Sequence, residues 1–335
     1  MKRRLSSKLA AAAGVLALIG AVGAAAGAQP GAADNAPGAT RQQFEQWMTE
    51  LSNWGRWGAD DTLGTANLIT PAKRLEALAL PETGASVSLA HDLSDAAGGP
   101  AFGAPFALDM VINRDPPQVR DRLNLDYHGV FFTHLDAICH MVHDGRIYNG
   151  HDFVETVTEG GCSRYGIEGL RDGVVTRAVL IDMPRLKGVP YLQPGTRIYP
   201  ADIEAWEKMA GVRVGAGDAL LVRTGRWARR AELGNDLGWA GMDASFLPLL
   251  KERDVALFGS DTAHEVGLDN IPGLRIAVIH KFAIVALGMN LLDNLDLEAA
   301  ADTAARLGRW EFLLMASPVR VPRGTGSPIN PIAVF

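Results

Sequence analysis

Residues 127–150, YHGVFFTHLDAICHMVHDGRIYNG, constrain this chain more than any other stretch. Of eight histidines in the chain, His128, His134, His140 and His143 fall here, and His151 follows at once. Asp136 stands two residues after His134. In an extended segment, residues two apart project to the same side. His134 and Asp136 therefore converge on one point, an imidazole and a carboxylate that together suit Zn²⁺ or Mn²⁺. His140, four residues past Asp136, reaches the same point if the chain turns between them. Reading 127–135 as a strand puts His128 and Val130 on the same face by even spacing. Imidazoles this dense, set between apolar segments, are unusual for a solvated loop.

Thr133-His134-Leu135-Asp136, followed by His140, resembles the H-x-G-T-H-x-D-x-P-x-H signature of the cyclase family of metal-dependent hydrolases, which includes bacterial arylformamidase and isatin hydrolase. The resemblance continues through Asp144-Gly145, Tyr148-Asn149-Gly150, Leu221-Val222-Arg223-Thr224-Gly225, Gly259-Ser260-Asp261, His280, Leu292-Asp293-Asn294-Leu295 and Gly324-Thr325-Gly326-Ser327-Pro328. It spans Trp54 to Phe335. By this resemblance His134 and Asp136 bind metal, and Asp136 bridges two ions in dinuclear members. His140 matches the proton donor and acceptor, and His280 a histidine of the second metal. Asp293 falls near a late metal-binding glutamate, one residue further from the histidine and one carbon shorter. Two positions depart from the signature. Val130 stands where its first histidine belongs, and Ile138-Cys139 replace its proline region. His128 is the nearest replacement ligand. The resemblance implies a swivelling β/β/α fold with one catalytic domain over 41–335, one or two Zn²⁺ or Mn²⁺ ions, and homodimers or homotetramers.

The N-terminus reads as an export signal. Lys2, Arg3, Arg4 and Lys8 precede an apolar stretch rich in Ala and Gly, and Ala26-Gly27-Ala28 is an A-x-A cleavage site. Residues 1–28 are thus expected to be a signal peptide and 29–40 a disordered linker. The mature protein is expected to be secreted or periplasmic, with no stable membrane association. The net charge of −6, without basic runs, argues against nucleic-acid binding. The two cysteines, Cys139 and Cys162, are not in a zinc spacing. They fit either one disulfide or a small buried side chain beside His140.

The rest mixes strands and helices without the alternation of a doubly wound sheet. Helices are expected over 41–51, from Thr70-Pro71 to Leu80, over 200–210, 246–252 and 297–307. Strands are expected over 88–91, 106–112, 127–135, 174–183, 219–222, 255–258, 289–292 and 312–316. Residues 98–100 and 113–122 read as loops, the latter exposed and carrying Pro116-Pro117. Asp261, His264 and Glu265 are further ligands or groups that orient the histidines. Arg223 ends a strand before glycine, where it either binds a substrate carbonyl or bonds loop carbonyls. Trp54 and Trp57 either anchor the core or line an aromatic pocket.

These readings converge on a metal-dependent hydrolase of amide or cyclic amide bonds acting on a small molecule. The alternatives are a cyclase or dehydratase using the same metal without net hydrolysis, and a binding protein that has lost its metal.

Overall fold

The computed structural model describes residues 38–93, 106–234, 238–267 and 269–335. The expected signal peptide, most of the expected linker and the 98–100 loop lie outside them. Thr40, the last residue of that linker, is instead the N-cap of the Arg41–Glu50 helix. Its hydroxyl accepts from Gln43 N, and the Gln43 side chain accepts from Thr40 N, which satisfies two otherwise orphaned donors. Phe44 and Met48 turn inward, as their spacing of four requires. Thr70 Oγ1 accepts from Lys73 N to cap the Pro71–Leu78 helix, with proline at the first helical position where no N–H is needed.

Nine strands form one mixed sheet, in the order Ser86–Ser88, Ile332–Val334, Glu311–Ala316, Val174–Asp182, Ala219–Arg223, Leu257–Ser260, Asn290–Asp293, His134–Asp136 and Gly326–Pro328. The four strands from Val174–Asp182 to Asn290–Asp293 run parallel. They are nearly continuous Val, Leu and Ile runs and are almost wholly buried, as parallel strands covered on both faces must be. The other pairings are antiparallel. Polar residues gather where the parallel strands end, at Asp182, Arg223, Asp261 and Asp293. Carboxyl ends of such strands are where open sheets bind ligands. Among the described residues no helix is long and apolar enough to cross a membrane.

Two expectations need correction. Residues 113–122 are not a loop. Ala107–Arg114 and Pro117–Asn124 pair as an antiparallel hairpin, turning at Asp115-Pro116. Leu108, Met110 and Ile112, two residues apart in a run that also holds Val111, carry the strand, and Pro117 opens its partner at a position that tolerates a missing N–H. Leu108 faces Leu123 and Ile112 faces Val119, yet these side chains are 48–65% exposed. The hairpin thus holds an apolar face that the described residues leave uncovered. Nor is 127–135 a strand. Only His134–Asp136 pairs, and 127–133 loops over the end of the sheet.

Cys139 and Cys162 form a disulfide. It ties the turn that carries His140 to the Gly161–Cys162 strand, closing a loop of sequence separation 23. Losing that closure frees the unfolded chain, so a Cys139→Ala/Cys162→Ala double variant should lose about 3 kcal/mol of stability. Urea unfolding of the two proteins under oxidising conditions measures it.

Candidate metal centre

The site is built on the pairing of two strands. Asp293 lies opposite His134, and Leu291 opposite Asp136. Opposed residues share a face, so His134, Asp136 and Asp293 project together. His134 Nε2 is 3.5 Å from Asp136 Oδ1 and 3.9 Å from Asp293 Oδ2. His280 reaches the same point from the Val278–His280 helix, its Nε2 3.2 Å from Asp293 Oδ2 and 3.8 Å from Asp136 Oδ2. Ligands held about 2.0–2.2 Å from a tetrahedral ion stand roughly 3.3–3.6 Å apart. The four gaps bracket that spacing.

The chemistry of the donors points the same way. Asp136 is fully buried and neither carboxylate oxygen has a hydrogen-bond partner. A bare buried carboxylate is costly, and a cation among its imidazole neighbours removes the cost. Each of the two inner histidines is aimed through its other nitrogen. His134 Nδ1 lies 2.8 Å from the Phe132 carbonyl, which keeps the proton there and leaves Nε2 free. His280 Nδ1 lies 3.3 Å from Glu265 Oε1, which also accepts from the Ile279 and His280 backbone N–H groups. Asn290 Nδ2 donates to the Asp136 carbonyl and fixes the strand's end.

His128 and His140 form the outer side. His128 Nδ1 is 3.3 Å from Asp136 Oδ1, and His140 Nε2 is 3.8 Å from Asp136 Oδ2. Their rings stack at 4.3 Å, inclined by 3°. His140 arrives because residues 138–140 make one 3-10 turn, closed by His140 N donating to the Ala137 carbonyl. His128 arrives by a different route from the one its even spacing implied. The 127–133 loop folds it back, and Thr325 Oγ1 holds its Nε2 at 3.1 Å. Gly326 makes room, since a Cβ there would stand 2.9 Å from the His128 ring. Thr325 and Gly326 were therefore missed as site residues; only their place in the family-like ending marked them. Both outer rings remain about one quarter exposed, so this side is the mouth.

Electrostatics follows from the crowding. Burial alone would raise Asp136, but His140, His128 and His134 outweigh it and hold the carboxyl below its ordinary value. Burial likewise opposes charge on Asp293, yet His280 and His264 keep it well below. His280 is raised well above the usual imidazole value by Asp293 and Glu265, against its burial. His140 is lowered, first by burial and then by the other imidazoles, despite Asp136.

Arg223 is not among these groups. Gly259 pairs with both Leu292 and Leu221, so Arg223, two residues after Leu221, shares the face of Leu292 and not that of Asp293. There Nη1 donates to Asp182 at 2.8 Å and Nη2 to Glu298 at 2.5 Å. Trp54 donates to the Val285 carbonyl and lines a separate 450 Å³ hollow with Glu45 and His143. Trp57 stacks with Arg56. No contact described for either tryptophan reaches a candidate ligand. A larger hollow of 710 Å³, beside His91, Phe131 and Trp227, has none of the candidate ligands in its lining. Arg223→Gln should cost about 3 kcal/mol, because it strands two carboxylates, and should leave Zn²⁺ affinity unchanged. Denaturant unfolding and a metal titration read the two effects separately.

A family model described as putative cyclase matches residues 87–265. No curated protein matches the chain. Among solved structures, one described as a novel cyclase is 29% identical with a TM-score of 0.76, covering 86% of this chain and 99% of its own. Isatin hydrolase A from Labrenzia aggregata, solved with benzyl benzoate, is 20% identical with a TM-score of 0.53, covering 74% and 93%. An isatin hydrolase bound to the product analogue thioisatinate is 19% identical with a TM-score of 0.52, covering 75% and 92%. At such identities the two hydrolases speak for the fold alone. The mixed sheet, the single domain and a family match over more than half of its length make this chain a member of the cyclase family.

Proposed function

We propose that this chain is an exported, metal-dependent hydrolase of amide or cyclic amide bonds, of the aryl formamide or lactam kind. One observation carries the metal: a fully buried Asp136 whose two oxygens lack hydrogen bonds and are ringed by imidazole nitrogens. His134, Asp136, His280 and Asp293 would hold the ion, with His128 beside Asp136 on the open side. The donor set of imidazole and carboxylate suits Zn²⁺ or Mn²⁺. When bound, such an ion polarises a carbonyl and makes water acidic enough to serve as nucleophile near neutral pH.

The residues of the chain supply the rest. His140 stands at the mouth, 3.8 Å from Asp136 and partly open to solvent, where it can take a proton and deliver it to the departing nitrogen. Its stack on His128 fixes the ring plane. Tyr127, in contact with the His128 ring, closes one edge of the mouth. The amide preference rests on the fold shared with the isatin hydrolases and on a donor arrangement suited to an acyl carbon.

Export is supported by the signal-like N-terminus and by the disulfide, a bond that persists in oxidising compartments. A homodimer or homotetramer is supported by the uncovered apolar face of the hairpin, because two strands alone are marginal in water. A cyclase or dehydratase using the same ion is the second reading, favoured by the family description itself. Product mass separates the two, since hydrolysis adds one water.

Elemental analysis of the purified protein should find about one or two Zn or Mn per chain. Asp136→Ala should abolish metal retention and turnover together. His140→Ala should keep the metal and lose about 10²–10⁴-fold in turnover. A wild type that takes up neither Zn²⁺ nor Mn²⁺ would leave only the metal-free binding protein.

A further inference from the structure

His264 is an imidazole at this centre that the proposed reaction does not use. It is fully buried, and its backbone is left-handed, with φ of 60°. A side chain there is strained and persists only where its surroundings hold it. Here Met242 N donates to the His264 carbonyl at 2.9 Å, and His264 N donates to Thr262 Oγ1 at 3.1 Å. The imposed conformation lays the ring against Phe258 and turns it toward Asp293. Nε2 ends 2.8 Å from Asp293 Oδ1. Nδ1 ends 2.9 Å from Ser260 Oγ, and a hydroxyl donating to Nδ1 leaves the ring proton on Nε2, facing Asp293.

The two oxygens of Asp293 therefore face different partners. Oδ1 meets His264, and Oδ2 meets His280 and His134. The 2.8 Å contact is within hydrogen-bond distance, and neither atom has another partner among the described residues. One rotation of the carboxylate sets both its approach to His264 and the direction of Oδ2. The backbone that follows Asp293 is pinned. Asn294, also left-handed, donates its N–H to the Thr262 carbonyl at 3.1 Å, inside the same loop that carries His264.

We infer that His264, propped by Ser260, is a positioning residue of the metal centre: it holds Asp293 Oδ1 so that Oδ2 faces the ion. The inference rests on the metal reading above. It assigns His264 to the oxygen turned away from His134 and His280, and so not to the ion itself.

Zn²⁺ affinity measured by chelator competition on the full chain tests it, with thermal melting in EDTA as the readout of the metal-free fold. His264→Ala should weaken Zn²⁺ binding by about 10–100-fold, the usual cost of losing an outer-shell partner. His264→Gln, whose amide N–H falls near the Nε2 position, should stay within about threefold of wild type. Ser260→Ala should fall between them. Wild-type affinity in His264→Ala overturns the inference. So does a His264→Gln as weak as His264→Ala, since an amide replaces a positioning donor but not an imidazole ligand. Should His264→Ala melt below the assay temperature, Ser260→Ala decides, and unchanged affinity there overturns the proposal. A wild type that binds no Zn²⁺ fails the metal reading itself, whereas a binding wild type with an indifferent His264 fails only this assignment.

Discussion

Two buried carboxylates, Asp136 and Asp293, lie side by side in the heart of the sheet, and the rest of the structure answers them. Like charges this close and this dry repel strongly unless positive charge lies between or around them. The chain supplies imidazoles from five separate segments: His128 from the 127–133 loop, His134 from the strand, His140 from the turn after it, His280 from a short helix and His264 from a left-handed loop residue. Each is fixed by a second contact of its side chain or backbone, to Thr325, Phe132, Ala137, Glu265 or Ser260. The resulting assembly is stiff before any ligand arrives, as metal-assisted chemistry requires.

That stiffness depends on long-range pairing. His134–Asp136 is only three residues long, yet it is clamped between Asn290–Asp293 and Gly326–Pro328. Its neighbours come from more than 150 residues away along the chain. A short strand with antiparallel partners on both sides spends its backbone hydrogen bonds within the sheet, which leaves its side chains to serve the site. The disulfide adds a covalent clip just beyond the turn and keeps His140 from swinging out with its segment.

The sequence made part of this legible and hid the rest for physical reasons. Apolar runs marked the parallel strands because both of their faces are covered, helical spacing of apolar residues marked the first helix, and Thr70-Pro71 marked the second because a cap is local. His134 and Asp136 share a face through period two alone. His128 was placed near the site by spacing, but its real route depends on Thr325 and Gly326, some two hundred residues later, which no local pattern predicts. Arg223 looked like a group at a pocket because it ends a strand. Its direction depends on register against Leu257–Ser260, and register places it with Asp182 and Glu298 instead. Residues 113–122, the turn and second strand of the hairpin, were read as a loop because their polarity and Pro116-Pro117 hide a pairing that only the partner strand reveals.

Two electrostatic networks meet at the carboxyl end of the sheet, and they are drawn from adjacent residues where the same strands end. Asp293 faces the histidines, whereas Asn294 turns to Arg226. Ser260 props His264, whereas Asp261 receives the backbone N–H groups of Thr224 and Gly225 at the start of a helix. A slip of one residue in either strand would exchange the two sets, sending charge to apolar surroundings on both faces at once. The fold therefore proofreads its own strand alignment: a misaligned sheet pays twice, and only one arrangement leaves each carboxylate with its own set of donors.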